Sequence, residues 1–100
     1  MSLESLTDQV RTAAEDNMKL GYVVKFVLED GSIIRWDGTA FRPTVDNEDG
    51  EVDTEIKLTA ENLQKMINGQ LSPSMAYMTG KLKVTGKVGV AMKIADLMED

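Results

Sequence analysis

The chain has 100 residues, enough for one ordinary domain but not for a second core, and we treat residues 1–100 as a single unit. Its composition, 42% hydrophobic and 28% charged, is typical of a folded globular domain, while a net charge of −6 disfavours a general nucleic-acid binder. Because histidine and cysteine are both absent, the usual zinc, iron–sulfur, thiol and disulfide chemistry is excluded, and we expect no catalytic residue, metal or cofactor.

The first predicted element is an amphipathic helix that follows a Ser2 N-cap and ends near Leu20-Gly21. Its opposite side is charged or polar, so the helix has one apolar stripe and needs one partner surface. The residues at this helical spacing are Leu3, Leu6, Val10, Ala13, Ala14 and Asn17.

Three antiparallel strands are predicted between Tyr22 and Pro43, with turns at Asp30-Gly31 and Asp37-Gly38. Asp-Gly between β-type segments is a strong hairpin signal, because both central turn positions favour a positive φ. Apolar residues on both faces would mean that the second face is partly covered, for example by a partner subunit, or that one turn contains a bulge. Two-residue loops put Val27, Ile34, Trp36 and Phe41 on one face and Val24, Phe26, Leu28 and Ile33 on the other.

The second half is predicted to form two strands and three helices. Thr59 is expected to cap the first of these helices, and Gly69 to end it. Since strands and helices do not alternate regularly, we expect an α+β fold: a mostly antiparallel five-stranded sheet with helices packed on one face. In chain order the elements are a strand at 52–58, a helix at 60–68, a short helix from Ser72-Pro73 to Gly80, a strand at 81–85 and a helix at 88–99.

Charge is unevenly distributed along the chain. Six acidic residues fall between Asp46 and Glu55, whereas Lys81, Lys83 and Lys87 lie near the C-terminus. A solvated loop and a charged strand face would explain this pattern, and a basic rim that attracts anionic head groups is the functional alternative.

The segment Gly80–Val88 resembles a phosphate-binding P-loop, but its glycine spacing is one residue too long.

Two features favour an apolar ligand. Five methionines lie on the three predicted C-terminal helices, and methionine fills irregular apolar space or lines adaptable binding surfaces. The final helix is apolar over a wider arc than a helix resting on one sheet needs, so a second helix, a subunit or a bound chain should lie beside it.

The segments Asn68–Pro73 and Met75–Lys87 resemble the sterol carrier protein type 2 (SCP-like) lipid-transfer family, and the order of elements agrees over nearly the whole chain. Lys87 stands where the family often has aspartate. The resemblance implies an apolar tunnel between sheet and helices, walled partly by the C-terminal helix, that binds a fatty acid, fatty acyl-CoA or sterol-like lipid. The lack of a C-terminal peroxisomal tripeptide suggests a cytoplasmic, free-standing member.

The leading hypothesis is therefore non-catalytic lipid binding or transfer. The alternative is an interaction or dimerisation module associated with a lipid-metabolising enzyme, and an enzyme using a carboxylate pair is a third. No transmembrane segment is expected, while transient membrane-surface contact and a homodimer stay open. The residues expected to contact the ligand are Phe26, Ile34, Trp36, Leu63, Met66, Ile67, Met75, Met78, Leu82, Val84, Val90, Ala91, Ile94, Leu97 and Met98.

Overall fold

A computed structural model describes residues 2–17 and 20–98. The predicted order of elements is confirmed within these ranges. The elements are α1 (Leu3–Asp16), β1 (Val23–Val27), β2 (Ile33–Asp37), β3 (Thr44–Asp46), β4 (Thr54–Leu58), α2 (Ala60–Ile67), α3 (Pro73–Met78), β5 (Leu82–Gly86) and α4 (Val88–Met98).

The five strands form one sheet in the order β3-β2-β1-β4-β5. β1 pairs in parallel with β4, and the other three strand pairs are antiparallel. Phe26 on β1 lies between Ile34 on β2 and Ile56 on β4. The predicted α+β fold with a mostly antiparallel five-stranded sheet is confirmed.

The helices cover one face of this sheet. α1 packs over β2 and β3, α4 packs over β4 and β5, and α2 contacts both α1 and α4. A reciprocal amide pair joins α1 to α2, because Gln9 and Gln64 each donate to the other at 3.0 Å. The strand residues that face the helices are buried: Val24, Phe26, Leu28, Ile34, Trp36, Val45, Ile56, Leu58 and Leu82.

The first hairpin differs from the prediction by one residue. Its loop is Glu29-Asp30-Gly31, since the Leu28 N–H bonds the Ser32 carbonyl and the Gly31 N–H bonds the Leu28 carbonyl. Gly31 has φ +87°, as the left-handed position of a three-residue loop requires. The extra residue changes the register, so the predicted faces were wrong: Val27 and Ile33 lie on the open face, and Val24, Phe26 and Leu28 share the core face with Ile34 and Trp36.

The second predicted tight turn was also wrong. Gly38 continues the pairing with β1, exchanging backbone hydrogen bonds with Gly21 and Tyr22, and a six-residue connection leads to β3 after Pro43. Phe41 lies in that connection and is 87% exposed, so it does not share a face with Trp36. Val45 is the residue opposite Trp36. Gly38 is needed for close packing, because a Cβ there would lie 2.6 Å from the Leu20 Cβ.

The segment from 47 to 53 lies against the open face of the sheet. Because β4 pairs beside β1, the chain must pass β2 and β1 after leaving β3. Asp49 Oδ1 is 2.8 Å from Lys25 Nζ, and Gly50 lies against the Arg35 guanidinium. The chain's own acidic segment thus partly covers the open face. This cover, together with the three-residue first turn that changes the register, accounts for the apolar residues that were expected on both faces of the sheet.

Apart from the end of α1, the predicted helix boundaries agree with the structure to within a turn where residues are described. Ser2 and Thr59 are the N-caps of α1 and α2, and their side chains accept from the N–H groups three residues later. α1 ends at Asp16, before the predicted end near Leu20. Gly69 and Gly80 have positive φ after α2 and α3. The predicted last residue of the final helix, Glu99, lies outside the described residues.

Gly38→Ala is expected to lower the free energy of unfolding by about 1–3 kcal/mol, because the new methyl group would overlap the Leu20 side chain. Urea titration measures the change. The matched control is Gly89→Ala in α4, where a Cβ meets no atom within 4 Å and the free energy should rise by about 0.5–1 kcal/mol. Equal destabilisation by both variants would contradict the packing role of Gly38.

The Asp49–Lys25 pair predicts an acid-dependent loss of stability. The pKa of the Asp49 carboxyl is lowered from its ordinary 3.8 by the Lys25 hydrogen bond first, and then by the Gly50 N–H. A carboxyl whose pKa falls on folding stabilises the fold above its unfolded pKa and loses this contribution as the pH falls through the folded one.

Asp49→Asn should therefore be less stable than the parent near pH 7, with a difference that shrinks below about pH 3.8. Denaturant titrations across this range measure it. Glu48→Gln, an exposed neighbour in the same segment, is the control. A difference that stays constant with pH would rule out this pair as the cause.

Candidate functional site

The predicted ligand-contacting residues mostly lie in one apolar layer between the sheet and the helices. Phe26, Ile34 and Trp36 contribute from the sheet, and none of them has any solvent exposure. Val84, Val90 and Leu97 are partly buried at the margin of the layer. The predicted residues buried on the helices and β5 are Leu63, Met66, Ile67, Leu82, Ala91, Ile94 and Met98.

Met75 and Met78 do not join this layer. They are 56% and 79% exposed, whereas Pro73 and Ala76 are buried. Residues three apart share one side of a helix, so in the six-residue α3 the 73/76 side packs inward and the 75/78 side points outward. Sequence reasoning included both methionines for their residue type, without knowing which side of α3 packs.

Helix α4 closes the layer and depends on packing for its stability. Its first turn contains Val88, Gly89 and Val90, residue types of low helix propensity, while the helix is strongly apolar overall. Ala91 and Ala95 are small and fully buried, so neighbouring elements can approach closely. The wide apolar arc predicted for this helix is occupied by α1, α2 and α3 as well as by the sheet.

The start of α4 is fixed to β4. The buried Thr54 hydroxyl lies 3.3 Å from both the backbone nitrogen and the carbonyl oxygen of Lys87. Gly86 has φ +106°, and a Cβ there would lie 2.6 Å from the Asp53 carbonyl oxygen. Any motion of α4 would therefore pivot near Gly86–Lys87. Sequence reasoning missed Thr54, although a threonine on the apolar side of an alternating strand was the available signal.

A small cavity opens where the end of α4 meets α1 and α2. Its volume is about 170 Å³, below the roughly 300–1,000 Å³ of ordinary ligand sites. Three of the predicted ligand residues, Ile67, Leu97 and Met98, line it on the α2 and α4 side. The α1 side of the opening is lined by Gln9, Thr12, Ala13 and Asp16.

Trp36 brings a polar group into the apolar layer. The side chain is fully buried, and its Nε1 has no hydrogen-bond partner among the described residues. An unpaired buried donor costs about 1–3 kcal/mol. The indole N–H is thus available to an acceptor that enters the layer.

Within residues 2–17 and 20–98, no group of three or more acidic side chains is arranged to hold a metal ion. Over the same ranges, no helix has the length and apolar character needed to cross a bilayer.

Comparison with known sequences finds a family model for nearly the whole chain and individual relatives for about half of it. The model of the SCP-2 sterol transfer family matches residues 3–99. Hydroxysteroid dehydrogenase-like protein 2 of Homo sapiens is 40% identical over 48 residues, which are 48% of this chain and 12% of that protein. Sterol carrier protein 2 of Oryctolagus cuniculus is 37% identical over 51 residues, 51% of this chain and 9% of that protein. The chain thus spans about a tenth of the length of these curated relatives.

Solved structures share the fold. The sterol carrier protein domain 2 of Helicoverpa armigera superposes with a TM-score of 0.77 at 22% identity, covering 94% of this chain and 83% of that one. The apo form of sterol carrier protein 2 from Yarrowia lipolytica gives 0.71 at 22% identity, covering 94% and 77%.

Proposed function

The chain belongs to the SCP-2 sterol transfer family, and we propose that it binds the apolar part of one lipid between its sheet and helix α4 and transfers that lipid without chemical change. The observation that carries the proposal is the single apolar layer closed by α4, into which the sheet, α2 and α4 all contribute fully buried side chains. Fatty acids, fatty acyl-CoA and sterol-like lipids are the ligand class.

Lipid entry requires space that the packed layer does not offer at rest. Phe26, Ile34 and Ile94 are fully buried, and the cavity beside Leu97 and Met98 holds about 170 Å³. We infer that the C-terminal end of α4 swings away from α1 and α2 about the fixed Gly86–Lys87 end. The displaced side chains would then line an apolar tunnel around the bound chain.

The energetics of such a site need little polar recognition. Burying about 15 methylenes at about 0.8 kcal/mol each gives about 12 kcal/mol. An association cost of about 4 kcal/mol leaves about 8 kcal/mol, which corresponds to micromolar binding. Broad selectivity for the apolar chain follows.

One polar contact is proposed, from the Trp36 Nε1–H to an oxygen of the ligand. This donor has no partner among the described residues, so an ester, hydroxyl or carboxyl oxygen would satisfy it. A pure hydrocarbon would leave it unpaired. Trp36 therefore favours oxygenated lipids over hydrocarbons of equal length.

Dimerisation through the sheet has less support than lipid binding. That hypothesis rested on apolar residues at both faces of the sheet. Asp49, in the segment that lies over the open face, pairs with Lys25, and Arg35 on the same face pairs with Asp46, so both cations already have partners within the chain. A cytoplasmic location stays a prediction.

Titration with a fatty acid is expected to change the emission of Trp36, the one tryptophan of the chain, with micromolar affinity. Trp36→Phe should weaken the fatty acid about tenfold, measured by calorimetry, while a hydrocarbon of equal length should bind the two proteins alike. Native mass spectrometry of the purified protein provides an independent check. Absence of any bound or bindable lipid would refute the proposed function.

Gly89→Ala tests the role of α4. Alanine strengthens the first turn of the helix at a position with free space, so lipid uptake should slow severalfold in stopped-flow measurements. Lys65→Ala on α2, an exposed position outside α4, is the control and should leave the rate unchanged. Equal uptake by Gly89→Ala and the parent would show that the ligand enters elsewhere.

A further inference from the structure

A second groove lies at one end of the sheet, away from the small cavity at the C-terminal end of α4. It has a volume of about 480 Å³ and is formed by the first hairpin turn, the junction of β4 with α2 and the start of β5. Its lining residues are Val27, Leu28, Glu29, Gly31, Lys57, Leu58, Thr59, Asn62, Gly80, Lys81 and Lys83.

Three lysines line this groove, and two of them stand opposite one another in the sheet. Lys57 on β4 stands directly opposite Lys83 in the antiparallel pairing of β4 with β5. Cβ atoms of opposed residues lie about 4.5–5.5 Å apart, and like charges at such positions destabilise a sheet. Lys81 precedes Lys83 by two residues and lines the same groove.

The neighbouring acidic groups offset only part of this positive charge. The Glu55 carboxylate is 3.8 Å from Lys57 Nζ but only 3.3 Å from Lys25 Nζ, so it is shared between two lysines. Glu29 lines the groove, yet its Oε2 accepts the Ala60 N–H at 2.8 Å and is held at the start of α2. In the described part of the chain, neither Lys81 nor Lys83 forms an ion pair. The groove is therefore positive on a chain whose net charge is −6.

We propose that this groove binds a phosphate-bearing anion held by Lys57, Lys81 and Lys83. A phosphate group carries more charge and more acceptor oxygens than a carboxylate, so it can engage several lysines at once. Its presence would offset the repulsion between Lys57 and Lys83. The apolar Val27 and Leu58 beside the lysines suit the stem of a phosphate ester.

The phosphate can belong to a lipid head group in a membrane or to a soluble phosphate ester. Both present the same chemistry to the lysines. The inference goes beyond lipid binding in the core and holds whether or not a chain enters beneath α4.

Two probes separate these sources: inorganic pyrophosphate, followed by calorimetry, and vesicles of phosphatidylcholine with or without phosphatidic acid, followed by co-sedimentation. Lys83→Gln and Lys57→Gln should each weaken binding about fivefold and reduce its dependence on salt. Lys93→Gln, an exposed lysine on α4 outside the groove, is the control and should bind like the parent.

A change in stability distinguishes a binding role from a structural one. Lys83→Gln relieves the repulsion with Lys57, so its Tm should rise by about 1–4 °C while phosphate binding falls. Fatty-acid binding followed at Trp36 should be unaffected, which separates this test from that of the core site. Failure of both probes to bind, or equal weakening by Lys83→Gln and Lys93→Gln, would overturn the inference.

Discussion

The parallel pairing of β1 with β4 is the constraint on which the rest of the structure depends. Because β4 lies beside β1, the chain leaving β3 at one edge must pass β2 and β1 before it pairs again. Its acidic segment takes the open face, where Asp49 meets Lys25. The helices then share the other face, so one layer contains nearly all of the large buried side chains.

Local sequence signals predicted the elements but not this arrangement. Alternation identified β4, and Thr59 with Gly69 bounded α2, because caps and periodicity act within a few residues. The two-residue turns predicted from the Asp-Gly pairs were wrong. Gly31 belongs to a three-residue loop, and Gly38 allows close contact with Leu20. Both differences depend on partners outside the turn, which the dipeptide does not encode.

For the candidate site as well, local periodicity indicated which residues are buried but not which tertiary contacts they form. Residues with helical or strand periodicity, such as Leu63, Ile94 and Phe26, face the common layer because an apolar stripe must be buried. Met75 and Met78 were chosen by residue type, and the short α3 turns that side outward. The unpaired Trp36 Nε1 and the groove of lysines arise from tertiary contacts and cross-strand register, so periodicity alone could not indicate them.

The folding stability of α4 and the binding of a lipid would depend on the same apolar contacts. α4 has a weak first turn and is stabilised by burying Ala91, Ile94 and Met98, so the contacts that hold it closed are those a lipid chain would replace. On the proposed function, a bound chain would exchange one apolar partner for another, and the net cost of moving α4 would stay small. The Thr54–Lys87 contact would keep one end of α4 attached during that exchange. A packed core could thus serve as a binding site when the helix that closes it is held mainly by the apolar contacts that the ligand would replace.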